Sequence, residues 1–266
     1  MSDGPYRWNA EDYAGHSAAQ FAWARELIAK LHLRGDEQVL DIGCGDGKVS
    51  VEIAALLPRG AVVAVDSSRE MIDLAVRSYP RSRFPNLCFK RMDARAMSFE
   101  DCFDVAFSNA ALHWVREQPA VLEGVRKSLR KSGRILLQLA GKGNAGQLVP
   151  IFLEVVSRDR WRGHFQDMNF PYAFFDPDEY RLLLEQAGLE PVRVELLRKE
   201  MAQPGREGLA GWIRTTWLPF TERVPPDLRE EFVSAIVERF AEIHPPDEGG
   251  VLRLEMKRLE VEARRP

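Results

Sequence analysis

The clearest chemical signal in the chain is an acidic, glycine-rich turn that follows an apolar run. Residues 41–47 have the sequence DIGCGDG. Glycine tolerates unusual φ values and lets a ligand approach the main chain closely. A second apolar run ends in Asp66, about 20 residues further on, where an acidic residue binds ribose hydroxyls in βαβ nucleotide folds. These residues predict a strand–loop–helix cradle for a cofactor that contains adenosine.

The spacing of the glycines distinguishes between cofactors. They stand at 43, 45 and 47, whereas the dinucleotide fingerprint G-x-G-x-x-G needs its third glycine at position 48, which is Lys48 here. No G-K-[ST] ending follows, which excludes a nucleoside-triphosphate loop. Asp41 and Asp46 would repel a pyrophosphate and attract a cationic sulfonium that carries an ammonium group. The loop resembles the first motif, D-x-G-x-G-x-G, of the class I S-adenosylmethionine-dependent methyltransferases.

Composition excludes several other functional classes. The 266 residues carry a formal net charge of −3, so a broad basic surface for nucleic acid or acidic lipid is not expected. No apolar run approaches the ~20 residues that cross a bilayer. Three irregularly spaced cysteines favour a reducing, cytoplasmic setting without a metal site. We expect a small-molecule substrate as partner, neither nucleic acid nor a membrane, and a monomer or weak homodimer.

Alternating strands and helices must position the glycine loop. Five apolar runs of strand length are separated by helix-length segments: 38–42, 62–66, 87–92, 103–108 and 133–139. This pattern is typical of a doubly wound α/β sheet, which binds ligands at the carboxyl ends of its strands. Runs at 190–197 and 251–263 complete a mostly parallel, seven-stranded Rossmann-like sheet with an antiparallel late strand. A slip in the apolar alternation at 257–258 predicts a β-bulge there.

The composition changes beyond residue 140. Aromatic residues are frequent over 147–175, and 207–243 predicts a pair of helices. The helical segments at 147–160 and 207–243 predict a cap that lies over the strand ends and encloses an apolar pocket, and plain outer-layer helices are the alternative. The predicted division is 1–140 for the N-terminal helix and cofactor-binding core, 141–175 and 200–248 for the cap, and 176–199 and 249–266 for the remainder of the sheet domain.

Further motifs narrow the resemblance. Within the methyltransferases the chain resembles the small-molecule carboxyl methyltransferases, the group of trans-aconitate and juvenile hormone acid methyltransferases. The matching motifs are WNAEDY at 8–13, FDVAFSNAALHW at 103–114, FDPDEY at 175–180 and GWIRTTWLPF at 211–220. The resemblance covers nearly the whole chain. Its cofactor motifs are specific, and those in the predicted cap are looser.

The resemblance implies a cofactor site for S-adenosylmethionine at the strand ends. Gly43 and Gly45 would face its methionyl part, and Asp66 would bind both ribose hydroxyls. The implied cofactor-binding residues are Asp41, Gly43, Gly45, Asp66, Ser67, Met71, Asp93, Ala94, Asn109 and Ala110. Simpler roles stay open for some of them, since Asp93 could cap a loop and Met71 could pack in the core.

Methylation of a carboxylate needs few specialised residues. The transfer is an in-line displacement on an activated methyl group, and a carboxyl group with a pKa near ~4 is already ionised at neutral pH. The site must supply neutral donors that align one carboxylate oxygen. The resemblance implies Gln20 and Trp114 as these catalytic donors, with Tyr13 and His113 completing the substrate site. A solvated Gln20 and a core Trp114 are the alternatives.

Three functions remain compatible with the sequence. The first is O-methylation of a small organic acid by in-line displacement. The second is methylation of a hydroxyl, amine or carbon centre with His113 as general base. The third is a cofactor-binding protein without catalysis. Arg214 and the arginines at 158, 160 and 162 would suit a polyacid, whereas the aromatic residues would suit an apolar acid.

Overall fold

A seven-stranded mixed sheet is the centre of the fold in our computed structural model, which describes residues 18–266 and their side chains from Phe21 onward. Its strands are β1 (Gln38–Ile42), β2 (Ala61–Asp66), β3 (Leu87–Arg91), β4 (Phe103–Asn109), β5 (Leu129–Ala140), β6 (Glu190–Pro204) and β7 (Val251–Arg264). The spatial order is β3-β2-β1-β4-β5-β7-β6. β1 to β5 are parallel, and β7 runs antiparallel to both of its neighbours. The prediction of a doubly wound, mostly parallel Rossmann-like sheet is confirmed.

Helices cover both faces of this sheet. Those of the sheet layers are α1 (Ala18–Lys30), α2 (Lys48–Ala55), α3 (Arg69–Ser78), α4 (Gln118–Ser128) and α7 (Pro177–Gln186). Successive side chains of a strand point to opposite faces, so Val39 packs in the cluster beneath α1 and α2 while Leu40 packs in the cluster beneath α4 and α7. Both faces of the central strands are buried, which explains their continuous apolar sequence.

The remaining helices form a separate layer. α5 (Leu148–Ser157), α6 (Asp159–Arg162), α8 (Gly205–Thr216), α9 (Leu218–Thr221) and α10 (Arg229–Ile243), here called the helical layer, share one apolar cluster with the first half of β7. Phe232 lies at its centre, with ring centroids 5.4 Å from Phe165 and 5.2 Å from Trp161. Aromatic pairs at such distances stabilise the packing beyond area burial alone. The division into sheet domain and cap stays a prediction.

Local hydrogen bonds set where helices begin. Asp176 and Glu179 form a reciprocal capping box at the start of α7, each bond being 2.9 Å long. Ser68 begins α3, since its hydroxyl accepts from Met71 N at 3.2 Å. Within the described part of the chain, no helix is both long and apolar enough to cross a membrane.

The predicted β-bulge at 257–258 is wrong. β7 pairs with β6 without interruption there, and the register shift of this pair lies between Pro191 and Arg193. The slip in alternation has another cause. In the first half of β7 the even-numbered residues face the helical layer, and in the second half the odd-numbered residues face the cluster beneath α4 and α7. The apolar face changes while the pairing continues, so Arg258 stays on the same side as Met256.

Candidate functional site

The loop after β1 is fastened to the end of β2 by main-chain hydrogen bonds. Gly43 N and Cys44 N both donate to Val65 O, at 2.8 and 3.0 Å. Gly45 N donates to the Asp66 carboxylate at 3.0 Å. The chain order reverses between β1 and β4, and the carboxyl ends of the strands at such a reversal form the usual ligand crevice of doubly wound sheets. The loop therefore lies at the expected binding edge.

The three loop glycines have different neighbours. All have positive φ, at 75°, 54° and 84° for Gly43, Gly45 and Gly47. A Cβ atom on Gly43 would stand 2.1 Å from Ala111 Cβ, and one on Gly47 would stand 2.7 Å from Phe89 Cζ. On Gly45 it would meet no atom within 4 Å. Neighbouring side chains therefore leave no room for a Cβ atom at Gly43 and Gly47, whereas the main chain at Gly45 is exposed to open space.

Two carboxyl groups flank the loop. Asp66 accepts from Gly45 N and, through its other oxygen, from Ser68 N at 2.9 Å, and burial raises its pKa. Burial raises the pKa of Asp41 to about 7, against a hydrogen bond from Ser50 and with the negative charge of Asp66 adding to the shift. A cationic ligand would favour both ionised forms. Open main chain between two such groups fits S-adenosylmethionine.

The residues predicted to hold adenine lie beyond β2 and β3. Ser67 is exposed and Met71 is buried at the start of α3. Asp93 accepts from Arg95 N at 2.9 Å, which begins the short 3₁₀ turn at Ala94. Its side-chain bond with Arg95 lowers the pKa of Asp93. A capping role for Asp93 is therefore observed, and its contact with an adenine stays a prediction.

The end of β4 carries a strained residue. Ala110 has a φ of 56°, and its N–H donates to Gln138 O at 2.8 Å. Left-handed backbone costs a non-glycine residue energy and is concentrated at functional sites. Ala111 follows and fills the space beside Gly43. The predicted contacts of Asn109 and Ala110 with the cofactor remain predictions, but both residues lie beside the loop.

A pocket opens between the end of β4 and the helical layer. It encloses about 660 Å³, its open mouth included, and begins at Ala110. Aromatic rings dominate its lining: Trp23, Trp114, Phe170, Tyr172, Phe174, Trp212 and Trp217. Trp114 meets Tyr172 edge to face with centroids 5.0 Å apart, and Tyr172 stacks on Phe174 at 5.6 Å. Trp114 is thus a wall of this pocket and not a residue of the sheet core.

Arg258 is the residue that sequence reasoning missed. It lines the pocket although only 3% of it is exposed, and its guanidinium carbon lies 5.5 Å from the Trp23 ring centroid. Such a cation–π contact stabilises a partly desolvated charge. The available signal was a charged residue in the even-numbered apolar series of β7, which the bulge prediction concealed.

His113 lies in the same pocket as a neutral imidazole. Burial lowers its pKa well below the ordinary value, and the positive charge of Arg258 lowers it further. Its Nδ1 is placed to accept from Ala140 N at 3.5 Å. That contact favours the tautomer that carries its proton on Nε2. His113 therefore offers the pocket a donor.

The side chains of the two other predicted substrate residues, Gln20 and Tyr13, lie outside the described part of the structure. Gln20 lies on α1, but its side chain is outside the described part, and Tyr13 lies outside the described residues altogether. Their roles stay predictions. Among residues 18–266, no group of three or more His, Cys, Asp and Glu side chains is placed to hold a metal ion.

Comparisons with known proteins identify the family. Residues 39–133 match a family model described as a methyltransferase domain. An uncharacterised methyltransferase of Schizosaccharomyces pombe is 32% identical over 193 residues, covering 71% of this chain and 72% of the relative. A trans-aconitate 2-methyltransferase of Deinococcus radiodurans is 30% identical over 223 residues, covering 82% and 83%. The chain belongs to the S-adenosylmethionine-dependent methyltransferases.

The fold of this methyltransferase agrees with solved structures. A protein from Bacillus halodurans described as a methyltransferase superimposes with a TM-score of 0.62 at 18% identity, covering 92% of this chain and 99% of that chain. The predicted cofactor, S-adenosylmethionine, is confirmed by the family.

Two glycine variants should distinguish a glycine that is needed for stability from one that is needed for cofactor binding. Gly45→Ala should fold, because its Cβ enters open space at a strain of about 1 kcal/mol, but should bind S-adenosylhomocysteine at least ~10-fold more weakly. Gly43→Ala should lose stability outright through the clash with Ala111. Calorimetry and thermal unfolding measure the two effects, with Gly163→Ala, also in open space, as control. Unchanged affinity in folded Gly45→Ala would contradict the assignment.

Asp41→Asn should make stability less dependent on pH. Because the folded-state pKa of Asp41 is raised to about 7, the native protein loses stability as pH rises from the unfolded pKa near ~4 through that value. Asparagine keeps the acceptor for Ser50 without the buried charge. The difference in the free energy of unfolding between variant and parent should therefore grow in favour of the variant, by on the order of 2–3 kcal/mol as pH rises from about 5 to about 8.

Denaturant unfolding at the two pH values measures this gain, and the exposed Asp73→Asn is the matched control. An Asp41→Asn effect equal at both pH values would show that Asp41 does not titrate in this range.

Proposed function

We propose that this methyltransferase transfers the methyl group of S-adenosylmethionine to the carboxylate of a small organic acid. The observation that carries the proposal is the buried cation of Arg258 in an aromatic pocket that begins at Ala110. A positive charge in a site of low polarity attracts a carboxylate strongly. It opposes an ammonium substrate, which aromatic rings alone would have suited.

The cofactor would lie along the strand ends, with its reactive end towards the pocket. We assign its binding to the predicted residues around the loop, above all Gly45, Asp41 and Asp66. S-Adenosylmethionine supplies a methyl group that its sulfonium already activates. The open main chain at Gly45 and the position of Ala110 between the loop and the pocket support this arrangement.

The protein's own residues then have to hold and align the acid. Arg258 would compensate the negative charge, and the Trp114 indole, with the Gln20 amide, would orient one oxygen. The rings around them exclude water, which leaves the carboxylate oxygen more reactive. No residue has to remove a proton, since the acid is already ionised at neutral pH. Holding the acid in line with the methyl group is the main catalytic contribution.

The relatives support the same chemistry. Several that align along most of the chain are named trans-aconitate 2-methyltransferases, at 26–30% identity. The acceptor in these names, trans-aconitate, is a carboxylic acid, which suits the pocket cation. The identity of this chain's own acid does not follow from these names.

The structure gives less support to His113 as a general base. A lowered pKa makes the imidazole a weak base, and its Nδ1 is directed at Ala140 N. The remaining Nε2–H can donate to a carboxylate oxygen. A role as neutral donor therefore accounts for His113 better than proton removal from a hydroxyl or amine.

Trp114→Phe and Gln20→Ala should lower kcat/KM for an acid substrate by about 10- to 100-fold, because each removes a donor that aligns the nucleophile. The affinity for S-adenosylhomocysteine, measured by calorimetry, should stay within about twofold. Trp161→Phe is the matched control, since Trp161 is buried in the helical layer and does not line the pocket. Full turnover in both test variants would refute the proposed roles.

The pH profile distinguishes donor from base at His113. At saturating S-adenosylmethionine we expect kcat/KM for the acid to show no inflection from His113 at neutral pH, since burial lowers the pKa of His113 well below its ordinary value and the substrate acid has a pKa near ~4. His113→Asn keeps an acceptor and a donor and should retain most activity, whereas His113→Ala should lose more. An inflection near pH 6.5 that disappears in both variants would instead establish a base.

A further inference from the structure

Resting on the proposed carboxyl methylation, we infer that the acceptor is a monocarboxylic acid with an apolar body, and not a di- or tricarboxylic acid. The described part of the pocket lining holds one cationic side chain, that of Arg258, with a large apolar surface around it. The part of the substrate that does not react would then differ from the tricarboxylic acid for which several relatives are named.

The described lining of the pocket carries little charge. Among the described residues that line it, Arg258 is the only charged side chain, and His113 is held neutral. A carboxylate that enters a buried site without a countercharge loses its hydration at a high cost. A second or third carboxylate would therefore disfavour binding here.

The four arginines that the sequence offered for a polyacid lie near acidic side chains and outside the pocket lining. Three of them pair with acidic side chains at the surface: Arg158 with Glu154 at 3.0 Å, Arg160 with Glu231 at 2.8 Å and Arg162 with Asp159 at 3.1 Å. Arg214 lies 3.8 Å from both Glu207 and Glu230. None of the four lines the pocket. Of the two substrates that the sequence left open, these ion pairs favour the apolar acid over the polyacid.

Several neutral polar groups of the pocket are engaged within the protein, and the neutral donors that remain do not balance the charge of a second carboxylate. Tyr172 donates to Thr216 O at 2.9 Å, and Thr216 donates to the carbonyl of Trp212 at 2.5 Å. Asn144 accepts from Lys257 N at 3.1 Å. The buried indole N–H of Trp212 has no hydrogen-bond partner among the described residues. It can satisfy one acceptor, such as an oxygen of a single carboxylate.

Apolar surface makes up most of the rest. The aromatic walls continue into Val149, Ala145 and Met256. Burying a hydrocarbon or phenyl body against such walls is favourable, at roughly 25 cal/mol per Å² of apolar surface removed from water, and small-molecule pockets of this kind fix orientation with few polar groups. One charged anchor and an apolar body together describe a fatty or arylalkanoic acid.

The test compares acids that differ by one carboxylate. Octanoate is paired with octanedioate and 3-phenylpropanoate with phenylsuccinate, and methyl esters are quantified by mass spectrometry with the intact protein. We expect kcat/KM to be at least ~30-fold higher for each monoacid. Arg258→Met should raise KM for octanoate by ~10-fold or more while S-adenosylhomocysteine still binds, and the surface variant Arg162→Met should leave KM unchanged.

The outcomes separate the two levels of the proposal. Equal or better methylation of the diacids, or of trans-aconitate, would overturn the inference and leave carboxyl methylation standing. Methylation confined to phenols or amines in a parallel panel would overturn the proposed function itself. The comparison of acids on the parent protein is independent of whether Arg258→Met folds.

Discussion

The site depends on a loop that is fixed against β2 yet leaves its main chain bare at one point. Val65 O accepts two loop N–H groups, and the Asp66 carboxylate accepts a third. Because Gly43 has no Cβ, Ala111 packs directly against the loop. The ends of β1, β2 and β4 thereby form one unit, and the pocket begins at the next residue along, Ala110. Any ligand on the loop is consequently held next to the pocket mouth.

The sequence contained enough information to predict this half of the site. The glycine spacing, the acidic flanks and the terminal Asp66 are local features, and the alternation of strands with helices is a pattern that the sheet must satisfy. The fold, the family and the cofactor were predicted on that basis and are confirmed. His113 and Trp114 follow β4 within a few residues and line the pocket, and their roles towards a substrate stay predictions.

The substrate half could not be predicted in the same way. Trp23, Trp212 and Arg258 come from α1, α8 and β7 and meet only through tertiary packing. At 257–258 the sequence pattern has two physical explanations, a bulge or a change in which face of the strand is apolar. Only strand pairing distinguishes them. The incorrect choice concealed Arg258, a buried charged residue that lines the pocket.

Carboxyl methylation differs from its alternatives in the bond that holds the transferred methyl group. The most direct measurement supplies 3-(4-hydroxyphenyl)propanoate, which offers a carboxylate and a phenol on one apolar body, together with S-adenosylmethionine labelled in its methyl group. Mild alkali then cleaves esters but not ethers. We expect the label to be released as methanol, from a methyl ester. Label that stays on the phenol oxygen after alkali would contradict carboxyl methylation.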